Sequence, residues 1–351
     1  NRFLAKYEIA PSANEKYSVT AMVNQGGEEK DKTTLTRTTV VGTGVTTSAN
    51  STEYEKIKEL EKKIKTDGSF VLGDSNFVKV GLEYSTKDFD SKKLSNGAIT
   101  SSPSEQLDMQ ENSWQAYVVD EYMINSDHVL TPGVRIESYT QTSIYQGDEK
   151  EGEYNFVNPS LHYLWHLTED INVRASVAKK VKKPKFDEIY NGIKSGTGSS
   201  ASPFEVGNLD LKPEHSLGYE LGLEHFFAQN SGVVGVNWYY RIIQDKVEDQ
   251  TIQRSDGFYY KTKVNVGEAK LYGLEFDARK DFKEYVDGLT LYGNLSFMHG
   301  KVKDSSTGLE RGLKDVPEYA LNLGFDQKVP ALDITVGAAY NYLAGFDVYE
   351  S

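Results

Sequence analysis

The chain has 351 residues, no cysteine and a formal net charge of −13 at pH 7. The lack of cysteine excludes disulfides and cysteine-ligated metals, and the negative charge argues against a general nucleic-acid binder. No run of about 18 apolar residues occurs, which excludes a transmembrane helix. A transmembrane β-barrel stays possible, because only every second residue of its strands must be apolar.

Alternating runs joined by short polar turns recur along the chain and predict β-hairpins. The first hairpin is RFLAKYEIAP and YSVTAMVNQ around SANEK, and the last is ALNLGFDQKV and DITVGAAYNYL around PAL. Four more are predicted around NSD, TED, AQNSG and KEYVDG, for about 15 strands in all. Long polar loops are predicted between the hairpins, at residues 86–112, 141–155, 183–215, 246–258 and 302–318.

Residues 53–65, EYEKIKELEKKIK, differ from this pattern. Their apolar residues Tyr54, Ile57, Leu60 and Ile64 recur at three- to four-residue spacing, which is a helical period. The neighbouring segments are strand-like. A short helix in an outer loop and a charged strand end are therefore both open.

Each predicted strand has one apolar and one polar face, as Leu221 and its neighbour Glu220 illustrate. A soluble sandwich and a membrane barrel both produce this alternation. Short turns that alternate with long loops, and the number of strands, favour the barrel. Charges would then face the lumen, because Arg or Lys at the bilayer midplane costs about 2–4 kcal/mol. The residues predicted to face the lumen are Glu220, Glu224, Arg241, Glu275, Asp277 and Arg279.

Five stretches, in chain order, resemble motifs of the TonB-dependent outer-membrane receptors. They are TPGVRIE (131–137), NPSLHYLWHLTEDINVRASVAKKVKKPKFDEIY (158–190), GNLDLKPEHSLGYELGLEH (207–225), VNVGEAKLYGLEFDA (264–278) and DVPEYALNLGF (315–325). Each motif is weak alone, whereas five in the family's order are specific. The resemblance covers residues 131–346 well and residues 1–110 by pattern only.

The resemblance implies an all-β fold: a large antiparallel transmembrane β-barrel with short periplasmic turns and long extracellular loops, in the bacterial outer membrane. Such transporters have 22 strands. Residues 1–351 are therefore expected to be one barrel domain, a fragment without the N-terminal plug and the last strands. The implied function is not enzymatic. It is active import of a scarce nutrient, most simply a ferric siderophore, energised by TonB through the absent plug segment. A passive porin, a haem receptor and a soluble β-rich binding protein are the alternatives.

Candidate ligand contacts lie on the predicted outer loops. Aromatic rings stack on flat catechol or heterocyclic groups, and arginine pairs with an anionic complex. Residues 254–260 combine both chemistries and are the preferred cluster, although an interfacial aromatic belt would use the same residue types. The candidates are Tyr139, Tyr145, Phe186, Tyr190, Arg254, Phe258, Tyr259 and Tyr260.

Lysines and histidines add two further hypotheses. The run Lys179, Lys180, Lys182, Lys183 and Lys185 can attract an anionic iron complex or bind lipopolysaccharide phosphates in the outer membrane. Haem is disfavoured, because haem importers of the family carry a histidine ligand in a loop that here, at 184–208, has none. His162 and His166 would lie about 13 Å apart on a strand, so no metal site is predicted and no resident cofactor is expected.

Overall fold

The computed structural model describes residues 1–39, 46–95, 98–99, 106–145, 148–185, 188–189, 192–227, 231–283, 285–304 and 308–345. Eighteen β-strands lie in these residues. They are β1 (Arg2–Ser12), β2 (Glu15–Thr39), β3 (Thr46–Leu72), β4 (Asn76–Ser95), β5 (Ala98–Ile99), β6 (Gln106–Met123), β7 (His128–Tyr145), β8 (Asp148–Thr168), β9 (Ile171–Lys182), β10 (Ile193–Ser195), β11 (Phe204–Val206), β12 (Glu214–Phe227), β13 (Gly232–Gln253), β14 (Tyr259–Asp281), β15 (Leu289–Asp304), β16 (Glu310–Gly312), β17 (Tyr319–Val329) and β18 (Ile334–Leu343). Within the described ranges, the structure contains no helix with the length and apolar character that a membrane crossing requires.

Fourteen of the eighteen described strands form one continuous antiparallel meander, and the other four have only two or three residues. The meander runs through β1–β4, β6–β9, β12–β15, β17 and β18, and each strand is hydrogen-bonded to the next. β1 and β18, at its two edges, are exposed at every residue. The structure thus confirms the predicted all-β antiparallel fold, with close to the predicted number of long strands.

Short connections gather at one end of the sheet, which we call the short-turn end. They join strands of the meander at residues 13–14, 73–75, 124–127, 169–170, 228–231, 282–288 and 330–333. All six predicted hairpins are among them. The opposite end, which we call the loop end, carries the longest irregular connection, between β9 and β12, where residues 183–213 separate the two strands.

The loop end contains more strand than the sequence predicts. β4 extends to Ser95, and β7 pairs with β8 as far as Tyr145 and Asp148, so much of the predicted loops 86–112 and 141–155 is paired strand. Likewise β13 and β14 pair up to Gln253 and Tyr259 and leave only a five-residue turn of the loop predicted at 246–258. These extensions carry polar residues on both faces, so they lack the alternation that identifies a strand.

Residues 53–65 belong to strand β3 and not to a helix. This segment pairs with β2 on one side and with β4 on the other, without a register shift. The helical interpretation is wrong and the strand interpretation is confirmed. Two ladders use the backbone groups on both edges of β3, and this tertiary pairing overrides the local period.

The apolar residues of the alternating pattern lie on an exposed face of the sheet. In β12, Leu221 is 52% exposed, and Leu217, Tyr219 and Leu223 lie on the same face and are also exposed. Leu82 in β4 and other apolar residues continue this face across the sheet. A soluble sandwich would bury these side chains, whereas a lipid-facing wall exposes them. We call this side the apolar face and the other side the polar face.

Three tyrosines on the polar face lie over a glycine directly opposite on the neighbouring strand. A side chain at any of these glycines would overlap the tyrosine ring, so the missing Cβ makes room for the ring. These three of the chain's 23 tyrosines therefore serve packing on this face and not an interfacial belt. The pairs are Tyr117 over Gly81, Tyr239 over Gly273 and Tyr292 over Gly324.

A small buried core forms at the loop end, where the β15–β17 connection folds back over β14 and β15. Ala269 and Val302 are almost completely buried there, and Leu313 of the connection covers them. The Leu313 N–H donates to Gly300 O at 3.0 Å. This packing anchors one irregular connection of the loop end on the sheet.

Candidate functional site

The turn between β13 and β14 is closed by local hydrogen bonds. Arg254 N–H donates to Phe258 O at 3.0 Å, and Gly257 N–H donates to Arg254 O at 2.9 Å. Asp256 Oδ1 accepts the Phe258 N–H at 3.0 Å. Gly257 has φ of 87°, a left-handed conformation that glycine adopts without steric cost. The Asp-Gly pair therefore fixes this turn at the loop end.

An aromatic cluster forms on this turn: Phe204, Arg254, Asp256, Phe258 and Tyr260. The Arg254 guanidinium lies 4.0 Å from the centroid of the Tyr260 ring. The Tyr260 hydroxyl donates to Asp256 Oδ2 at 2.7 Å. Phe204, which comes from β11, packs at 5.6 Å from Phe258 and 5.5 Å from Tyr260 between ring centroids. The cluster thus combines a stacked cation with three rings.

The charge state of the aromatic cluster follows from these hydrogen bonds. The Phe258 N–H, and after it the Tyr260 hydroxyl, lower the pKa of Asp256. The hydrogen bond to Asp256 raises the pKa of Tyr260. At neutral pH the carboxylate is therefore ionised and the phenol protonated. Asp256 offsets the charge of Arg254, so the cluster offers ring faces and a stacked guanidinium and not a strong positive field.

The structure brings together Arg254, Phe258 and Tyr260 but not Tyr259. Tyr259 contributes its backbone N–H, which donates to Gly198 O at 2.9 Å. Its side chain points to the opposite face of β14 from that of Tyr260, because alternate residues of a strand face opposite ways. Phe204 and Asp256 are members that the sequence prediction missed. The turn signal Asp-Gly would have identified Asp256, whereas no local signal points to Phe204.

Tyr139 lies on strand β7 and not on a loop. The Lys183 ammonium lies 4.7 Å from the centroid of the Tyr139 ring, and Phe156 packs at 6.1 Å from it. Lys183 also forms an ion pair with Glu111, which accepts the Gln141 Nε2 at 2.6 Å. Tyr139 is therefore half-buried in a network of side-chain contacts on the sheet. Phe186 and Tyr190, and the side chain of Tyr145, lie outside the described residues.

The residues predicted to face the lumen lie on the polar face. Arg174 Nη2 is 3.1 Å from Glu224 Oε2, and Ser176 Oγ is 3.5 Å from Glu220 Oε2. Glu220, Glu224 and Asp277 line a cavity of about 550 Å³. Arg241, Glu275 and Arg279 share the polar face by alternation along β13 and β14. Their place on a lumen wall stays a prediction.

The motif NLDLKPE is tied by hydrogen bonds to the strands beside it. Asn208 Nδ2 donates to Lys263 O at 2.9 Å. Asn265 forms a reciprocal pair with Lys212: its Oδ1 accepts the Lys212 N–H at 2.9 Å, and its Nδ2 donates to Lys212 O at 3.0 Å. The same Nδ2 donates to Asp245 O at 2.8 Å. Asn265 belongs to the motif VNVGEAKLYGLEFDA, so these two motifs are bound to each other.

Glu214, the last residue of the motif NLDLKPE, is 8% exposed. Its Oε1 accepts the Val247 N–H at 2.8 Å and the Lys246 Nζ at 3.0 Å, and Lys182 Nζ lies 3.6 Å away. Val247 follows a bulge of β13 at which the register shifts and Asp245 has φ of 54°. A bulge disrupts the ladder, and the carboxylate supplies the acceptor that this N–H needs. We call Glu214, Asn208 and Asn265 the motif clamp.

Where the structure describes the run at 179–185, two of its lysines have carboxylate partners. Lys182 lies near Glu214, and Lys183 pairs with Glu111. In the part of the chain that the structure describes, no group of three or more His, Asp and Glu side chains is arranged to hold a metal ion.

Comparison with known families gives a match over almost the whole chain. The family described as TonB dependent receptor-like, beta-barrel matches residues 2–350. The ferric enterobactin receptor PirA of Pseudomonas aeruginosa is 28% identical over 222 residues, which are 60% of this chain and 27% of that protein. The ferrienterobactin receptor of Escherichia coli K12 is 28% identical over 203 residues, 55% of this chain and 25% of that protein. The matched region thus spans about a quarter of these relatives.

Solved structures have the same fold. The ferric-catecholate import receptor Fiu of Escherichia coli K12 has a TM-score of 0.69 at 17% identity and covers 97% of this chain and 53% of its own. The siderophore receptor PiuA of Acinetobacter baumannii has a TM-score of 0.67 at 15% identity, with 97% and 54% covered. The chain therefore spans about half the length of these structures.

Proposed function

The chain belongs to the TonB-dependent receptor-like β-barrel family, and on that premise we propose that it is part of a receptor that imports a ferric siderophore with energy delivered through TonB. Members of this family are transport receptors of the bacterial outer membrane and not enzymes. The chain is accordingly a wall of an outer-membrane barrel, with its apolar face against lipid. The short-turn end then faces the periplasm and the loop end faces the medium.

The aromatic cluster carries the proposal for the ligand. Phe258 is 47% exposed at the loop end, beside the guanidinium of Arg254 stacked on Tyr260. Flat rings and a guanidinium plane suit a ligand that presents aromatic groups around a metal and carries negative charge. Relatives named as ferric enterobactin receptors support the same ligand class. We therefore place catecholate siderophores first among the iron complexes.

In this account the barrel positions the ligand-binding side chains and catalyses no reaction. The motif clamp holds the start of β12 against β13 and β14, and the adjoining turn presents the aromatic cluster. The polar face, with Glu220, Glu224 and Asp277, would line the path that a plug occupies and opens when TonB acts. TonB and the plug are partners that the family implies, and their contacts with this chain belong to the proposal.

Growth under iron limitation tests the ligand class. The full protein is expressed in a strain that lacks its own siderophore receptors, and ferric catecholate, hydroxamate and carboxylate complexes are supplied one at a time. We expect growth on at least one catecholate complex. Because stacking on an aromatic side chain contributes about 0.5–1.5 kcal/mol, Tyr260→Ala should weaken uptake several-fold.

Tyr285→Ala is the matched control, since Tyr285 is 79% exposed in a turn at the short-turn end. This variant should support wild-type growth. Rescue by no iron complex rejects the import of ferric siderophores. Rescue that is equally weakened by Tyr285→Ala and Tyr260→Ala rejects the aromatic cluster as the contact surface.

A further inference from the structure

A groove of about 530 Å³ indents the apolar face near the short turns, between β13, β14, β15 and β17. Its floor is formed by Ala278 and Gly293, which lie opposite each other in the β14–β15 ladder. Val234 and Leu323 flank these two small residues in the same row. We call the apolar groove the surface lined by Val234, Phe276, Ala278, Leu291, Gly293 and Leu323.

Lys280 lies on the same face, one step closer to the short turns than Ala278. Its stem crosses Gly232, where a Cβ would lie 3.0 Å from the Lys280 Cδ. Its ammonium donates to Ser231 Oγ at 2.7 Å and lies 5.3 Å from the centroid of the Phe227 ring. Strand β14 ends at the next residue, Asp281. The ammonium is therefore held at the lower boundary of the apolar face.

The free-energy cost of placing a lysine against lipid indicates the membrane depth at which this ammonium lies. Such a side chain is costly at the bilayer midplane and is tolerated at little cost near the interface. Lysine also reaches toward the headgroups while its methylene stem stays on apolar surface. Lys280 therefore lies at the level of the periplasmic headgroups, and the apolar groove begins directly above it, in the hydrocarbon layer.

The apolar groove and the Lys280 ammonium match the hydrocarbon part and the charged part of one amphipathic molecule. A chain of methylene groups fits an apolar groove, and a phosphate one step below pairs with a lysine and a hydroxyl. An ammonium has three N–H donors, and among the described residues Ser231 accepts one of them from Lys280. A protein partner would not require an apolar surface at the depth of the hydrocarbon and a cation at the depth of the headgroups.

We propose that the apolar groove and Lys280 form a binding site for one glycerophospholipid of the periplasmic leaflet. One acyl chain lies over Ala278 and Gly293, and the phosphate pairs with the Lys280 ammonium and the Ser231 hydroxyl. The inference rests on the membrane location of the barrel and not on the imported ligand. Loss of lipid binding and loss of import are therefore separate observations.

Retention of phospholipid by the purified protein tests the site. The full protein is reconstituted in vesicles of phosphatidylethanolamine and phosphatidylglycerol, extracted with detergent, and analysed by native mass spectrometry. Ala278→Leu fills the groove, Lys280→Met removes the ammonium, and Lys280→Arg keeps a cation. Ala116→Leu, on the apolar face of β6, is the matched control. Gly293 is left unchanged, because a Cβ there would lie 3.0 Å from the Asn322 carbonyl oxygen.

We expect one retained phospholipid in the wild type, in Lys280→Arg and in Ala116→Leu. Ala278→Leu should lose it, and Lys280→Met should retain it about fivefold less, the effect of about 1 kcal/mol per basic residue near a lipid surface. Heat-modified migration on gels confirms that each variant is folded. Equal retention in all variants would mean that the retained phospholipid is ordinary boundary lipid, and it would overturn the proposal. Loss in Ala278→Leu with full retention in Lys280→Met would overturn the phosphate contact.

Discussion

Replacing Glu214 with alanine should destabilise the loop end of the barrel. The carboxylate is buried and serves two partners at once, the Val247 N–H at 2.8 Å and the Lys246 ammonium at 3.0 Å. Alanine leaves the N–H without its acceptor at a bulge, where the ladder offers no replacement. The variant thus tests whether the family's motif acts as a clamp.

The expected magnitude follows from these two contacts. A buried donor without an acceptor costs about 1–3 kcal/mol, and hydrogen bonds to charged groups contribute about 1.5–3 kcal/mol. The Lys246 side chain is 21% exposed, so water partly replaces its lost partner. The Lys182 side chain is largely exposed and adds little. We therefore expect Glu214→Ala to lower the free energy of unfolding by about 2–4 kcal/mol. Glu214→Gln keeps an oxygen acceptor and should lose only about 1 kcal/mol.

Urea-induced unfolding of the full protein in lipid vesicles measures these differences. Trp238 lies on β13, the strand that Glu214 holds, so its fluorescence reports on the clamped region. Glu220→Ala is the matched control, since Glu220 lies on the same strand and accepts a long hydrogen bond of 3.5 Å from the Ser176 hydroxyl. Its unfolding midpoint should stay close to wild type. Equal losses in Glu214→Ala and Glu220→Ala would refute the clamp.

Three further substitutions test the packing, the lipid face and the turn. Gly273→Ala should lose about 1–3 kcal/mol of unfolding free energy, because its Cβ would clash with the Phe297 carbonyl oxygen and would meet the Tyr239 hydroxyl at 2.7 Å. Gly26→Ala, with contacts at 3.8 Å, is the control, and equal unfolding midpoints would contradict the packing. Leu221→Arg should lower the free energy of unfolding by about 2–4 kcal/mol, because its face meets lipid at mid-depth. Glu220→Arg, on the polar face, is the control and should leave the folded fraction in vesicles unchanged. Similar folded fractions for the two variants would exclude the assignment of the faces. Because Asp256 has a lowered pKa, its hydrogen bonds stabilise the turn at pH values above the ordinary carboxyl range and are lost as the pH falls through that lowered pKa. Tyr260→Phe removes one of these bonds and should raise the pKa of Asp256 measured by NMR, and an unchanged pKa would contradict the hydrogen bond.

The sequence predicts the membrane-spanning part of the fold well because lipid imposes a period of two. Leu221 and Glu220 on β12 alternate for that reason, and the turns around TED and PAL follow from local chemistry. Residues 53–65 carry their apolar side chains at a helical spacing instead, so the local pattern does not identify them as a strand. Their strand conformation comes from pairing with β2 and β4, which no local pattern reveals.

The candidate site was predictable only where its members are neighbours in sequence. Arg254, Phe258 and Tyr260 lie close together in the sequence, and their residue types predict a shared surface for an anionic ligand with flat rings. Phe204 reaches the same cluster from a connection about fifty residues earlier, through the pairing of β11 with β14. Glu214 was recognised as part of a motif, but its role depends on a bulge in β13 that only the register reveals.

Uptake of radioactive iron tests the central proposal most directly. Cells that express the full protein as their sole siderophore receptor are given a labelled ferric catecholate, with and without a functional TonB. The account predicts saturable uptake that disappears when TonB is removed, while binding of the complex to the cell surface persists. Uptake that continues without TonB, or no uptake of any ferric siderophore, would contradict it.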